Sequence, residues 1–160
     1  MSMLLSGGEV FSLAVEVEKS GHAFYSTVAQ ESSDRALVEL FTFLSEEENR
    51  HLRHFEGLRK ELGDFAIDGD EWEETSNYIK ATTDGRFFVG EDRAIRAAHA
   101  VRDARDALDI AIGFEKDTLL FFHEILAVTP ERTRESAHRI IEEEKRHVLM
   151  LSQKRQALAR

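Results

Sequence analysis

Glu46-Glu47-Glu48-Asn49-Arg50-His51 returns, 96 residues later, as Glu142-Glu143-Glu144-Lys145-Arg146-His147. Each run sets a histidine three residues after a glutamate, a spacing that brings both side chains to one face of a helix. Apolar residues extend that face in both directions. Around the first run they are Leu37, Phe41, Leu44, Leu52, Phe55, Leu58 and Leu62, and around the second Ala137, Ile140, Ile141, Val148, Leu151 and Leu158. The steps of three and four mark the seam of a bundle helix, with Glu48 and Glu144 standing where leucine is expected.

Two further seams carry one acid each. Phe11, Val15, His22, Tyr25 and Ala29 flank Glu18, and Ala104, Leu108, Ala111, Ile112, Leu119, Phe122 and Leu126 flank Glu115. Glu18 precedes Glu48 by 30 residues, Glu115 precedes Glu144 by 29, and Tyr25 and Phe122 each stand seven after their glutamate. The chain therefore reads as a duplicated helical hairpin. Helices are expected over about 9–30, 35–62, from beyond Glu91 to about 127, and about 130–159. One of Ser32, Ser33 and Asp34 caps the second, and Gly63 ends it. Thr129 and Pro130 fit the N-cap and first position of the fourth.

The expected architecture is all-α: a four-helix bundle forming a single domain over 1–160, with a long crossover, 63–90, between helices 2 and 3. A crossover of that length lets helix 3 run parallel to helix 2. It carries Trp72, Tyr78 and Ile79 on a short helix, then Phe87 and Phe88. That much aromatic surface is expected either to cover the bundle or to build a homodimer contact. Asp64, Asp68, Gly69 and Asp70 have the wrong spacing for a calcium loop.

Composition removes several functions. Without cysteine there is no disulfide, thiolate zinc site, iron–sulfur cluster or thiol nucleophile. A net charge of −10 argues against nucleic acid as a partner. No apolar run is long enough to span a membrane, and Met1 to Gly8 lacks the basic start of a signal peptide. The expected location is cytoplasmic.

Four carboxylates in apolar seams need compensation, because a buried charge without a partner is costly. The seams near them hold no lysine or arginine. Glutamates from two helices with Glu-x-x-His from the other two are the donor set of di-iron carboxylate bundles. Four ionised glutamates also match two divalent cations in charge, and carboxylates with two imidazoles suit iron or manganese. Spacing leaves the register open, since Glu47 with His51 and Glu143 with His147 also share a face. The seam favours Glu48 and Glu144. His22 and His54 fit a supporting layer, His99, His123 and His138 fit the surface or its boundary, and Tyr25 fits a buried hydrogen-bonding role.

Glu18-Lys19-x-Gly21-x-x-Phe24-Tyr25, Glu48-x-x-His51, Glu115-Lys116-Asp117 and Glu144-x-x-His147 resemble the rubrerythrins of the ferritin-like superfamily, in the family's order, over about residues 9 to 155. The resemblance implies a non-haem site of two iron ions, with manganese or zinc as substitutes. It implies Glu48 and Glu144 as the bridging, catalytic pair, completed by Glu18, His51, Glu115 and His147. It implies reduction of peroxide or oxygen, and kinship with proteins that oxidise ferrous iron. Two departures stand out. The cysteines of a rubredoxin domain are absent, so electrons must come from a separate donor protein. Thr118 also stands where peroxidase members carry an extra glutamate. The sequence thus supports a di-iron oxidoreductase, with a ferroxidase or iron-handling protein and a metal-stabilised interaction module as alternatives.

Overall fold

The computed structural model describes residues 4–67, 72–85 and 89–158, apart from the side chains of residues 84 and 85. Among the described residues six helices form: α1 (Gly7–Glu31), α2 (Arg35–Leu62), α3 (Trp72–Gly85), α4 (Glu91–His99), α5 (Ala104–Val128) and α6 (Glu131–Ala157). Their ends follow local chemistry. Ser6 and Glu9 make a reciprocal capping box at the start of α1, and the Asp34 carboxylate accepts from Ala36 and Leu37 to start α2. Gly63, at φ 64, ends α2 in a backbone conformation that only glycine adopts freely. Pro130 is the N-cap of α6 rather than its first residue, and the Thr129 hydroxyl turns back to the Ile125 carbonyl.

Cross-helix bonds fix the topology. Gly7 N donates to Phe65 O just beyond α2, so α1 and α2 are antiparallel. The Arg155–Asp109 ion pair makes α5 and α6 antiparallel. Arg50 with Glu143, His54 with Ser136, and Arg132 with Glu61 make α2 and α6 antiparallel as well. Tyr25 meets Glu115, and Gly21 lies against Phe114, so α1 opposes α5. Helix α5 therefore runs parallel to α2, the arrangement that the long crossover permits.

The third bundle helix is not continuous. Residues 100–103 divide the expected helix into α4 and α5, because the Asp103 side chain caps α5 at Asp106 N while Ala100 N folds back onto the last carbonyls of α4. Gly90 N donates to the buried Ser20 hydroxyl, and Ala94 and Ala98 bury α4 against α1. In the crossover, Trp72 donates to the Leu5 carbonyl, Leu5 N donates to Ser76, and Ile79 is fully buried. Trp72 and Ile79 are thus spent on covering their own chain, whereas Tyr78 stays exposed. Phe87 and Phe88 lie outside the described residues. No helix among the described residues is long and apolar enough to cross a membrane.

The core forms two aromatic layers. Phe24, Tyr25, Phe41 and Phe114 pack edge-on and tilted at one level of the bundle. Phe11, Phe55, Phe121 and Phe122 pack in tilted pairs at the other. Along α1 and α2 these layers bracket Glu18 and Glu48 from both sides. Removing a buried ring costs the lost transfer energy plus a cavity. Phe55→Ala is therefore expected to lower the unfolding free energy by about 3–5 kcal/mol in urea titration. Phe43→Ala, at a residue 43% exposed, should change it by less than about 1 kcal/mol.

Candidate metal centre

Between the two aromatic layers, each long helix delivers its acid to one place. Glu18 comes from α1, Glu48 and His51 from α2, Glu115 from α5, and Glu144 and His147 from α6. All four glutamates are 0% exposed and both histidines 1%. The six residues expected from sequence are brought together, in two overlapping groups. One is Glu18, Glu48, His51 and Glu144; the other is Glu48, Glu115, Glu144 and His147. Within each group one donor atom per residue lies within 4.8 Å of the others. Glu48 and Glu144 belong to both.

Glu144 faces both halves. Its Oε1 is 2.8 Å from His51 Nδ1 and its Oε2 2.8 Å from His147 Nδ1. Glu18 is 3.7 Å from His51 Nδ1, and Glu48 and Glu115 are each 3.7 Å from His147 Nδ1. The two imidazoles stack with centroids 5.7 Å apart. Both oxygens of Glu18, both of Glu48, Glu115 Oε2, Glu144 Oε1 and His51 Nδ1 are buried and make no hydrogen bond. Buried polar atoms are ordinarily paired, so this concentration of unpaired acceptors fits cations.

The outer edges of the histidines were not legible as part of the site. Glu143 Oε2 lies 2.8 Å from His51 Nε2, and Glu47 Oε2 lies 4.0 Å from His147 Nε2. The contacts are exchanged between hairpins: the α6 acid serves the α2 histidine, and the reverse. Arg50 bonds both acids and holds them in place. With His51 Nε2–H donating to Glu143, Nδ1 is the nitrogen that faces the cluster, and once deprotonated it would offer its lone pair there. Glu47 and Glu143, expected off the seam, therefore form a supporting layer. His22 does not: it bonds Ser45 and ties α1 to α2. His54 bonds Ser136. Gly21 is required sterically, because a Cβ there would come within 2.3 Å of Glu48 Oε2. The Tyr25 hydroxyl donates to Glu115 Oε1. Burial, reinforced by the charge of Glu115, pushes the Tyr25 phenol well above its ordinary pKa, so it remains a donor.

No protein-family model and no curated protein sequence matches this chain. A crystal structure does: that of a Thermotoga maritima protein proposed to be a ferritin-like diiron-carboxylate protein. It covers 98% of each chain with a TM-score of 0.68, at 17% identity. The fold is ferritin-like.

With protons as the only cations, the cluster is strained electrostatically. Burial, then the charge of Glu144, raises Glu115 to about 8. Burial also raises Glu18, and burial with the charges of Glu18 and Glu144 raises Glu48 well above its ordinary value. Against the opposite pull of burial, neighbouring carboxylates raise His51 to about 11 and His147 to about 10. Against the upward push of burial, the hydrogen bond from His147 and the charge of His51 hold Glu144 below its ordinary value.

A raised group holds its proton better folded than unfolded. Its stabilisation is complete below the unfolded pKa and is lost as pH rises through the folded one. For Glu115 that window runs from 4.5 to about 8, and for the histidines from 6.5 to about 10 or 11. The metal-free protein should therefore lose thermal stability steadily from about pH 5 to 8. Zinc-loaded protein should show a flatter or reversed slope, because metal binding favours deprotonated ligands. Calorimetry across this range checks both.

Proposed function

We propose that the chain is a di-iron oxidoreductase that reduces peroxide or oxygen with electrons from a separate donor. The observation that carries this reading is the set of unpaired buried carboxylate oxygens arranged around Glu48 and Glu144. In this reading Glu18, His51, Glu115 and His147, together with Glu48 and Glu144, would hold two irons. Bound there, the pair would supply redox chemistry, with the electrons for turnover coming from the separate donor.

The chain's own residues do the rest. The aromatic layers keep bulk water from the carboxylates, which strengthens every charge interaction inside. Tyr25 orients Glu115 and keeps its proton. Glu143 orients the His51 imidazole, and Gly21 leaves the space that Glu48 occupies. Glu143→Gln keeps the side-chain shape but removes the charge that backs His51. It is expected to weaken metal binding by about 10–100-fold without unfolding the protein, as read by competition with a chromophoric chelator.

A second reading is favoured by two observations. The chain has no cysteine with which to hold an electron-transfer iron, and Thr118, buried with an unpaired hydroxyl, stands one turn beyond Glu115. A ferroxidase needs neither a donor protein nor a carboxylate at 118, because ferrous iron is itself the reductant. Peroxide consumption sustained by an added reductant supports the oxidoreductase. Ferrous oxidation continuing beyond two irons per chain supports iron handling. Bound metal inert to both leaves a structural metal.

Position 118 can be tested without the donor. Stopped-flow absorbance of the ferrous protein mixed with peroxide should show slower oxidation in the wild type than in Thr118→Glu. Equal rates would remove position 118 from the account.

A further inference from the structure

A second feature lies beside the cluster, on the face where α2 and α6 meet. A cleft of about 510 Å³ opens there, lined by Arg50, His51, Arg53 and His54 of α2 and by Ser136, Arg139, Ile140 and Glu143 of α6. In a chain of net charge −10, three arginines line this cleft against one carboxylate. Arg50 is already spent on Glu47 and Glu143, and Glu143 in turn accepts from His51. The acid in the cleft is thus neutralised by groups that hold it from behind.

Arg53 and Arg139 are different. They stand on opposite walls, exposed, and neither makes a hydrogen bond or ion pair among the described residues. Acids lie at pairing distance along their own helices: Glu56 is three residues from Arg53, Glu135 is four before Arg139, and Glu142 is three after it. Elsewhere this chain uses such spacings, as in Lys19–Glu16, Arg35–Glu39 and Arg134–Glu131. Lys145 takes Glu142. The two cleft arginines are left with unspent charge.

Between them, His54 and Ser136 form a hydrogen-bonded pair, Nε2 to Oγ at 2.6 Å. Burial, reinforced by the charge of Arg139, holds His54 below its ordinary pKa. If the serine donates, the other ring nitrogen keeps its N–H; if the ring donates, the serine keeps its O–H. Either way one donor on the pair is unused. Two free guanidinium groups and a further donor around a concave site recognise an oxyanion by charge-assisted hydrogen bonds.

We propose that the α2–α6 cleft binds a small oxyanion through Arg53, Arg139 and the His54–Ser136 pair. The ligand is inorganic phosphate or a small metabolite carrying a phosphate group. The volume admits the larger of these, in the range of ligand pockets generally. None of the proposed binding groups is among the six residues of the buried Glu/His cluster.

The test is a titration of the full-length protein with phosphate, sulfate and glycerol 3-phosphate at constant ionic strength. It is followed by calorimetry and by amide NMR shifts. Saturable one-to-one binding is expected, with shifts concentrated at residues 53–54 and 136–139. Arg53→Gln with Arg139→Gln should raise Kd by at least about tenfold, the scale of losing charged hydrogen bonds. Arg93→Gln with Arg96→Gln on α4 should leave it unchanged. Circular dichroism confirms that both exposed pairs of substitutions keep the fold. Tighter binding of glycerol 3-phosphate than of phosphate identifies a metabolite, and equal binding the free anion. Non-saturating shifts spread over the surface, or a wild-type Kd in the Arg53/Arg139 variant, would overturn the proposal.

Discussion

Four carboxylates within contact distance of one another, all shielded from water, cannot be ionised together without cations among them. Glu18, Glu48, Glu115 and Glu144 are in that position, and the rest of the bundle is arranged around the constraint. Protons relieve it incompletely: burial and mutual repulsion push three of the acids up, and only Glu144, held between two imidazoles, goes down. Buried ionic groups are poor contributors to stability compared with apolar ones of the same size. Four glutamates at core positions are therefore a cost to the stability of the metal-free fold.

The surrounding structure keeps the constraint in force. Aromatic layers at both levels leave little room for relaxation or for water. Gly21 holds open the volume that Glu48 fills, and any larger residue would displace that carboxylate. The exchanged contacts of Glu143 with His51 and Glu47 with His147 join the two hairpins through Arg50. The hairpins are therefore coupled at the site itself as well as through the apolar core. The internal repeat is broken at Tyr25 and Phe122. Tyr25 supplies a hydroxyl to Glu115, whereas Phe122 at the equivalent place brings no polar group. The two halves of the cluster are consequently unequal in their hydrogen bonding.

The six cluster residues were legible because a helical seam is a one-dimensional pattern, and an acid inside it is visible without knowing the partner helix. The ends of α2 were legible for the same local reason, from the turn of Ser32, Ser33 and Asp34, of which Asp34 makes the cap, and from Gly63. What crossed between hairpins was not. Nothing in the run Glu142-Glu143-Glu144 says that Glu143 reaches the histidine of the other hairpin. The break between α4 and α5 was hidden because Ala, Arg and Asp around residues 100–103 suit a helix interior as well as a cap. On α5 the buried face includes Thr118, Phe121 and Ile125, while Leu119 and Leu126 are only partly covered. A helix packed against more than one neighbour buries a wider arc than a single stripe describes. Trp72 and Ile79 needed the tertiary structure, since a crossover segment carries no periodic signal for what it covers.

Cations in the cluster are what the four buried carboxylates require, and metal analysis tests for them directly. Protein expressed with added iron, purified without chelator and reconstituted anaerobically with ferrous iron should hold two transition-metal ions per chain. Glu48→Ala and Glu144→Ala, each removing a carboxylate shared by both halves, should hold neither. Wild-type protein that stays folded and binds no metal under these conditions would contradict the account.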